Sequence, residues 1–125
     1  MFIGTCTEDV HALLNNGDIS FVFTLSPAWG NMFIVYPIGS ISTFEFAGHF
    51  TMFFVLTYLL KAIFINNGYI IAAVVTIAMA TEIMQVFFGR GAELYDLLAD
   101  VSGAIVVLGT AYWIGVFRKV ASNQR

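Results

Sequence analysis

Charge is what this sequence most lacks. Lys, Arg, Asp and Glu make up 10% of its 125 residues, against 59% hydrophobic, where a soluble domain carries about 25% charged residues to cover its surface. Eight acids, five bases and two histidines cannot coat a water-soluble body of this length, and the mean hydropathy of +0.86 agrees. The net charge is −3 and no run of Lys or Arg forms a stripe to neutralise phosphates, which excludes nucleic acid as a partner. Cysteine is reduced to Cys6, so no intrachain disulfide exists. The five residues before it, Met-Phe-Ile-Gly-Thr, lack the basic and apolar regions of a secretory signal. Cys6 is therefore a poor lipidation site and reads as a thiol near a loose terminus. Repeats and low-complexity tracts are absent too, and the length allows one domain.

What is present is long apolar helix. After a mixed, polar opening that ends in the turn signal Asn15-Asn16-Gly17-Asp18, the stretch 19–44 carries no charge but is broken by Pro27, Gly30, Pro37 and Gly39. Proline inside a spanning helix removes a backbone bond and clashes with the preceding turn. Residues 1–43 therefore read as a polar N-terminal region with an interfacial or re-entrant apolar segment, with Trp29 and Tyr36 suited to the headgroup level. A further spanning helix here is the rival reading. Residues 44–117 form the transmembrane domain, with spans at 44–65, 69–88 and 94–117, each long enough for the ~20 residues that a hydrocarbon core requires. Asn66-Asn67-Gly68 and Gly89-Arg90-Gly91 are tight connections, which force neighbouring helices to lie antiparallel. The expected fold is an all-α membrane protein, a compact antiparallel bundle of about three transmembrane helices in the lipid bilayer.

Orientation follows from Lys and Arg. Lys61, Arg118, Lys119 and Arg125 fall on one side and Arg90 alone on the other. This places the C-terminus, with its basic tail 118–125, in the cytoplasm and the N-terminal region outside.

Ionisable residues inside spans are rare, at roughly 2.5–3.5 kcal/mol each on insertion scales. Here they gather at one depth. His49 lies near the start of the first span, Glu82 and Gln85 near the end of the second, and Asp96 and Asp100 near the start of the third, with Arg90 in the loop between. At about 1.5 Å per residue, all stand within about 10 Å of the same, outer, face. Glu82 and Gln85 are three residues apart, Asp96 and Asp100 four, so each pair shares one side of its helix. Gly103, one turn beyond Asp100, suits close packing of a neighbouring helix. Plainer readings stand beside these: Arg90 with Asp96 or Glu82 as a structural ion pair, His49 as a hydrogen-bonded packing residue, Lys61 as a snorkelling anchor. As a group the three carboxylates outnumber Arg90, and at low dielectric such an excess must be shared, protonated or neutralised by a cation.

These residues resemble the VanZ-like family of small bacterial membrane proteins. The family pattern opens one helix with acid-x-x-x-His-Phe, here Glu45-Phe46-Ala47-Gly48-His49-Phe50. It continues with Glu-x-x-Gln near the end of the next helix, here Glu82-Ile83-Met84-Gln85, then an Arg with an Asp six residues on, Arg90 and Asp96, and a Gly at Gly103. The resemblance covers about 44–115. The chain departs from the family in having Phe46 where Lys is usual and Asp100 where Asn is usual. Members often carry a further N-terminal spanning helix, and this chain opens too late for a clear one, the pattern of a short variant or a truncated product.

The resemblance implies a role at the cell envelope, since the founding member is associated with low-level resistance to the glycopeptide teicoplanin. The leading expectation is a non-enzymatic protein of the bacterial inner membrane. Its outer-leaflet polar pocket, His49, Glu82, Gln85, Arg90, Asp96 and Asp100, would bind an amphiphilic or lipid-linked ligand or a membrane partner, a second copy included. It would thereby modulate glycopeptide susceptibility or surface assembly. One alternative is an intramembrane enzyme acting on a lipid-linked headgroup, with Glu82 or His49 as acid/base and Arg90 clamping a phosphate. Another is a small proton-coupled transporter. Thr81 and Ser102 are the hydroxyls at hand, without a legible activating pair. No cofactor is expected, and one His without a spaced second argues against a metal.

Overall fold

The computed structural model describes residues 6, 10–27, 29–30, 37, 42–88 and 93–124. Among them are four helices and no strand: α1 (Val10–Asn16), α2 (Thr43–Ile63), α3 (Asn67–Phe87) and α4 (Leu94–Asn123). Three of these, α2, α3 and α4, are long and apolar enough to cross a membrane, the signature of a multi-pass membrane protein. At about 1.5 Å per residue the 21 residues of α2 and of α3 span roughly 32 Å, the thickness of a hydrocarbon core. The 30 residues of α4 reach roughly 45 Å, so its basic end projects beyond the apolar zone. The helix therefore outlasts the expected span, which stopped at residue 117. The apolar run ends there, but Arg118 to Asn123 continue the backbone ladder.

Local chemistry sets the helix ends. The Ser42 hydroxyl accepts from the Glu45 backbone N–H at 3.3 Å, and the carboxyl of Glu45 lies in the first turn of α2, where the helix dipole favours it. Past the end of α2, the Asn66 side chain accepts from Gly68 N at 2.8 Å and so opens α3. The Lys61 ammonium donates to Asn67 Oδ1 at 2.7 Å and to the Ile65 carbonyl at 3.3 Å, tying the end of α2 to the start of α3. The turn signal at 15–18 closes a helix that composition alone did not announce. Gly17 takes the left-handed conformation (φ 76°), and its N–H returns to the Leu13 carbonyl at 3.0 Å, the usual glycine stop for a helix.

The apolar core consists of Phe53 from α2, Ile70, Val74 and Ala78 from α3, and Ala104 from α4. Buried positions recur at helical spacing, as in His49–Phe53–Thr57 and Ile70–Val74–Ala78–Glu82, so each helix turns one narrow stripe inward. The rest of each surface is largely apolar and exposed, Tyr58, Leu59, Ile71, Val75, Met79, Ile105 and Phe117 among it. In water such a surface would aggregate; against acyl chains it is the required solvent face. The α2–α4 interface is the most extensive, and glycine makes it close. A Cβ added at Gly103 would collide with the Phe50 carbonyl oxygen and stand 2.9 Å from Phe54 N.

The described N-terminal residues lie against the end of α3. Thr24 N–H donates to the Phe87 carbonyl at 2.8 Å. Phe21 and Phe23 meet the Phe88 ring edge-on at 5.8 and 5.7 Å, and Trp29 meets Phe87 at 6.0 Å. Residues 17–24 are irregular, so no helix runs through them. Cys6 is buried, at 1% exposure.

Candidate functional site

Five of the six polar residues singled out from the sequence lie in the described part of the chain, and all five are buried. Exposure is 3% for His49 and Glu82, 6% for Asp96, and 0% for Gln85 and Asp100. The sixth, Arg90, and its pairing with Asp96 or Glu82 lie outside the described residues. α2 supplies His49 six residues after its start, α3 supplies Glu82 and Gln85 in its last turns, and α4 supplies Asp96 and Asp100 in its first turns.

His49 is the hub. Its Nδ1 lies 2.9 Å from Asp100 Oδ1 and its Nε2 lies 3.5 Å from Asp96 Oδ2. The imidazole thus stands between two carboxylates that occupy successive turns of α4, which is why their four-residue spacing matters. Glu82 comes in from α3, where its Oε2 accepts the backbone N–H of Glu93 at 3.0 Å. His49, Glu82 and Asp100 each offer one ligand-type atom, and the three atoms lie within 4.8 Å of one another.

The cluster is incompletely satisfied. Glu82 Oε1, Asp100 Oδ2 and both amide atoms of Gln85 are buried without a hydrogen-bond partner, as is Thr57 Oγ1 two turns further along α2. Native interiors rarely leave such atoms bare, and each costs about 1–3 kcal/mol unless something bonds it. Among the described residues, three carboxylates gather around a single imidazole. The arrangement can therefore hold a cation, a donor-rich headgroup or ordered water.

Among the described residues it offers no evident nucleophile. The Thr81 hydroxyl donates to the Ala78 carbonyl at 2.8 Å and the Ser102 hydroxyl to the Leu98 carbonyl at 2.7 Å. Both are turned back onto carbonyls of their own helices.

Sequence reasoning did not single out Thr57, or the Glu93 backbone as the partner of Glu82. Thr57 had a signal, since it continues the four-residue stripe from His49 through Phe53. The Glu82–Glu93 bond had none, because a backbone donor carries no side-chain mark. Comparison with known proteins gives no matching family model, no similar curated protein and no matching solved structure.

Proposed function

We propose that this chain is a VanZ-like envelope protein of the bacterial inner membrane that binds the polar headgroup of an amphiphile. Its helices alternate in direction across the bilayer, with the C-terminus in the cytoplasm and the polar cluster at the outer leaflet. The N-terminal apolar segment rests in the interface beside the cluster. The protein acts by binding, and the binding modulates glycopeptide susceptibility or surface assembly.

One observation carries this reading: the buried polar atoms of Glu82, Gln85 and Asp100 that lack partners. A purely structural cluster would pair them, since a half-satisfied buried network is less stable than an apolar one. A site waiting for a headgroup leaves them bare. The orientation is supported by Lys61, Arg118, Lys119 and Arg125 on one side against Arg90 on the other. The outward-turned Leu59, Ile71 and Val106 leave the acyl chains of a ligand continuous with bilayer lipid. The enzymatic alternative loses weight because the Thr81 and Ser102 hydroxyls are committed to helix carbonyls.

Native mass spectrometry of gently extracted protein tests the reading. A bound lipid or lipid-linked precursor should survive on the wild type and be lost from Gln85→Leu, which removes the amide while filling its space. Wild type and variant both free of amphiphile, or both carrying it equally, would end the proposal.

A further inference from the structure

We propose that His49, Glu82 and Asp100 together hold one divalent transition-metal ion of the zinc class. The inference rests on reading the cluster as incomplete and names what completes it. Three observations converge on it. The donors come from three different helices, yet one ligand atom of each lies within 4.8 Å of the others. Glu82 and Asp100 are nearly or fully buried, at 3% and 0% exposure. Each has one carboxylate oxygen without a partner, Oε1 of Glu82 and Oδ2 of Asp100. Unpartnered oxygens on two buried carboxylates beside an imidazole are what a cation would consume.

The donor set selects the ion. One imidazole with two carboxylates suits zinc and its first-row neighbours, whereas Mg²⁺ and Ca²⁺ prefer oxygen alone. Metal–ligand bonds of about 2.0–2.2 Å in a tetrahedral site put neighbouring donor atoms roughly 3.3 Å apart. Asp100 offers the ion Oδ2, which has no partner, or Oδ1, whose 2.9 Å contact with His49 Nδ1 has to open slightly. The widest pair in the cluster, up to 4.8 Å apart, has to close by about 1.5 Å. The metal thus takes the place of the proton shared between Nδ1 and Asp100.

Asp96 then acquires a positioning role. Metal-bound histidines donate their other ring N–H to a carboxylate, which fixes the tautomer and the ring plane. His49 Nε2 already faces Asp96 Oδ2 at 3.5 Å. Three protein ligands leave a fourth position open. Gln85 is fully buried, one turn beyond Glu82, with both amide atoms unbonded, and can hydrogen-bond whatever fills that position. A divalent charge also removes an obstacle to the function proposed above. The carboxylates of Glu82 and Asp100 repel an anionic headgroup, whereas a metal held by them can take a phosphate or carboxylate oxygen as its fourth ligand.

The test uses the untagged full chain in detergent, in a Cys6→Ala background so that no thiol competes, stripped with a chelator and titrated with ZnCl₂. The expected result is one Zn²⁺ per chain at micromolar affinity or tighter, unaffected by excess Mg²⁺ or Ca²⁺. Co²⁺ should give the visible absorption of a four-coordinate site. Asp100→Asn and Glu82→Gln should each weaken binding at least about 100-fold, and Asp96→Asn by about 10–100-fold, as positioning partners do. Failure of the wild type to bind Zn²⁺, or wild-type affinity in Asp100→Asn and Glu82→Gln, overturns the proposal. The Co²⁺ spectrum of the wild type decides even if a variant does not fold. Mass spectra of stripped and zinc-loaded protein separate the two readings. Amphiphile bound with no metal site sinks this inference alone; metal bound with no amphiphile sinks only the headgroup function.

Discussion

Gly103 of α4 lies so close to the Phe50 carbonyl of α2 that no methyl group fits between them. The contact sits one turn beyond Asp100, so it sets the distance at which Asp100 meets His49. Gly103→Ala must drive the two helices apart or shift the α2 backbone, because the obstruction is main chain and cannot rotate away. The expected loss is at least about 2 kcal/mol, read as a lowered melting temperature in detergent. Gly109→Ala is the control. A Cβ there meets nothing within 4 Å, so stability should stay level or rise by up to about 1 kcal/mol through helix propensity. Equal effects at both positions would refute close packing at Gly103.

His49 and Asp100 should be energetically coupled. A double-mutant cycle with His49→Gln and Asp100→Asn, measured on metal-free protein, should give a coupling energy of about 1–3 kcal/mol. The 2.9 Å contact is fully buried, so water cannot replace it. The cycle between His49→Gln and Asp96→Asn should give less, given the longer 3.5 Å approach. A coupling below about 0.5 kcal/mol for the first pair would mean that the contact contributes nothing.

Much of this was legible because membrane helices announce themselves. Apolar stretches long enough for a bilayer marked 44–65, 69–88 and 94–117, and the observed helices are Thr43–Ile63, Asn67–Phe87 and Leu94–Asn123. Boundaries drifted where hydropathy and hydrogen bonding part company, as at the charged end of α4. In the site, spacing grouped Glu82 with Gln85 and Asp96 with Asp100, but it could not choose their partners. Asp96 faces His49, a partner that spacing did not name, while Arg90 lies outside the described residues. That choice depends on the depth and rotation of α2 against α4, which Gly103 sets and no periodicity encodes. The donor convergence was hidden for the same reason. Spacing shows a single His, whereas the approach of His49, Glu82 and Asp100 comes from three helices and leaves no mark in the spacing of any one of them.

The proposed orientation is open to direct labelling. In a Cys6→Ala background, Ala92→Cys lies in the loop between the second and third spans and Ser122→Cys lies in the basic tail. An impermeant thiol reagent applied to intact cells should reach residue 92, and residue 122 only after lysis. Equal labelling of both in intact cells would remove the alternating three-span arrangement with an inner C-terminus.

Glu82 separates a structural carboxylate from a functional one. One of its oxygens holds the Glu93 N–H at 3.0 Å, joining the end of α3 to the residue that opens α4; the other has no partner. Substitution by Gln preserves the first task, since an amide oxygen accepts the same N–H, but removes the charge and gives the second position a different chemistry. Glu82→Gln should therefore melt within about 1 kcal/mol of wild type in metal-free detergent, while Glu82→Ala, which strands the Glu93 N–H and opens a void, should lose roughly 2–4 kcal/mol. If Glu82 serves only to tie the two helices, Gln should also keep the biological phenotype. If it serves a bound headgroup or ion, Gln should fold normally and lose that phenotype, which is the outcome expected here. Melting temperature beside teicoplanin susceptibility of cells expressing each variant distinguishes the cases. Full phenotype in Glu82→Gln would reduce this carboxylate to a helix tie.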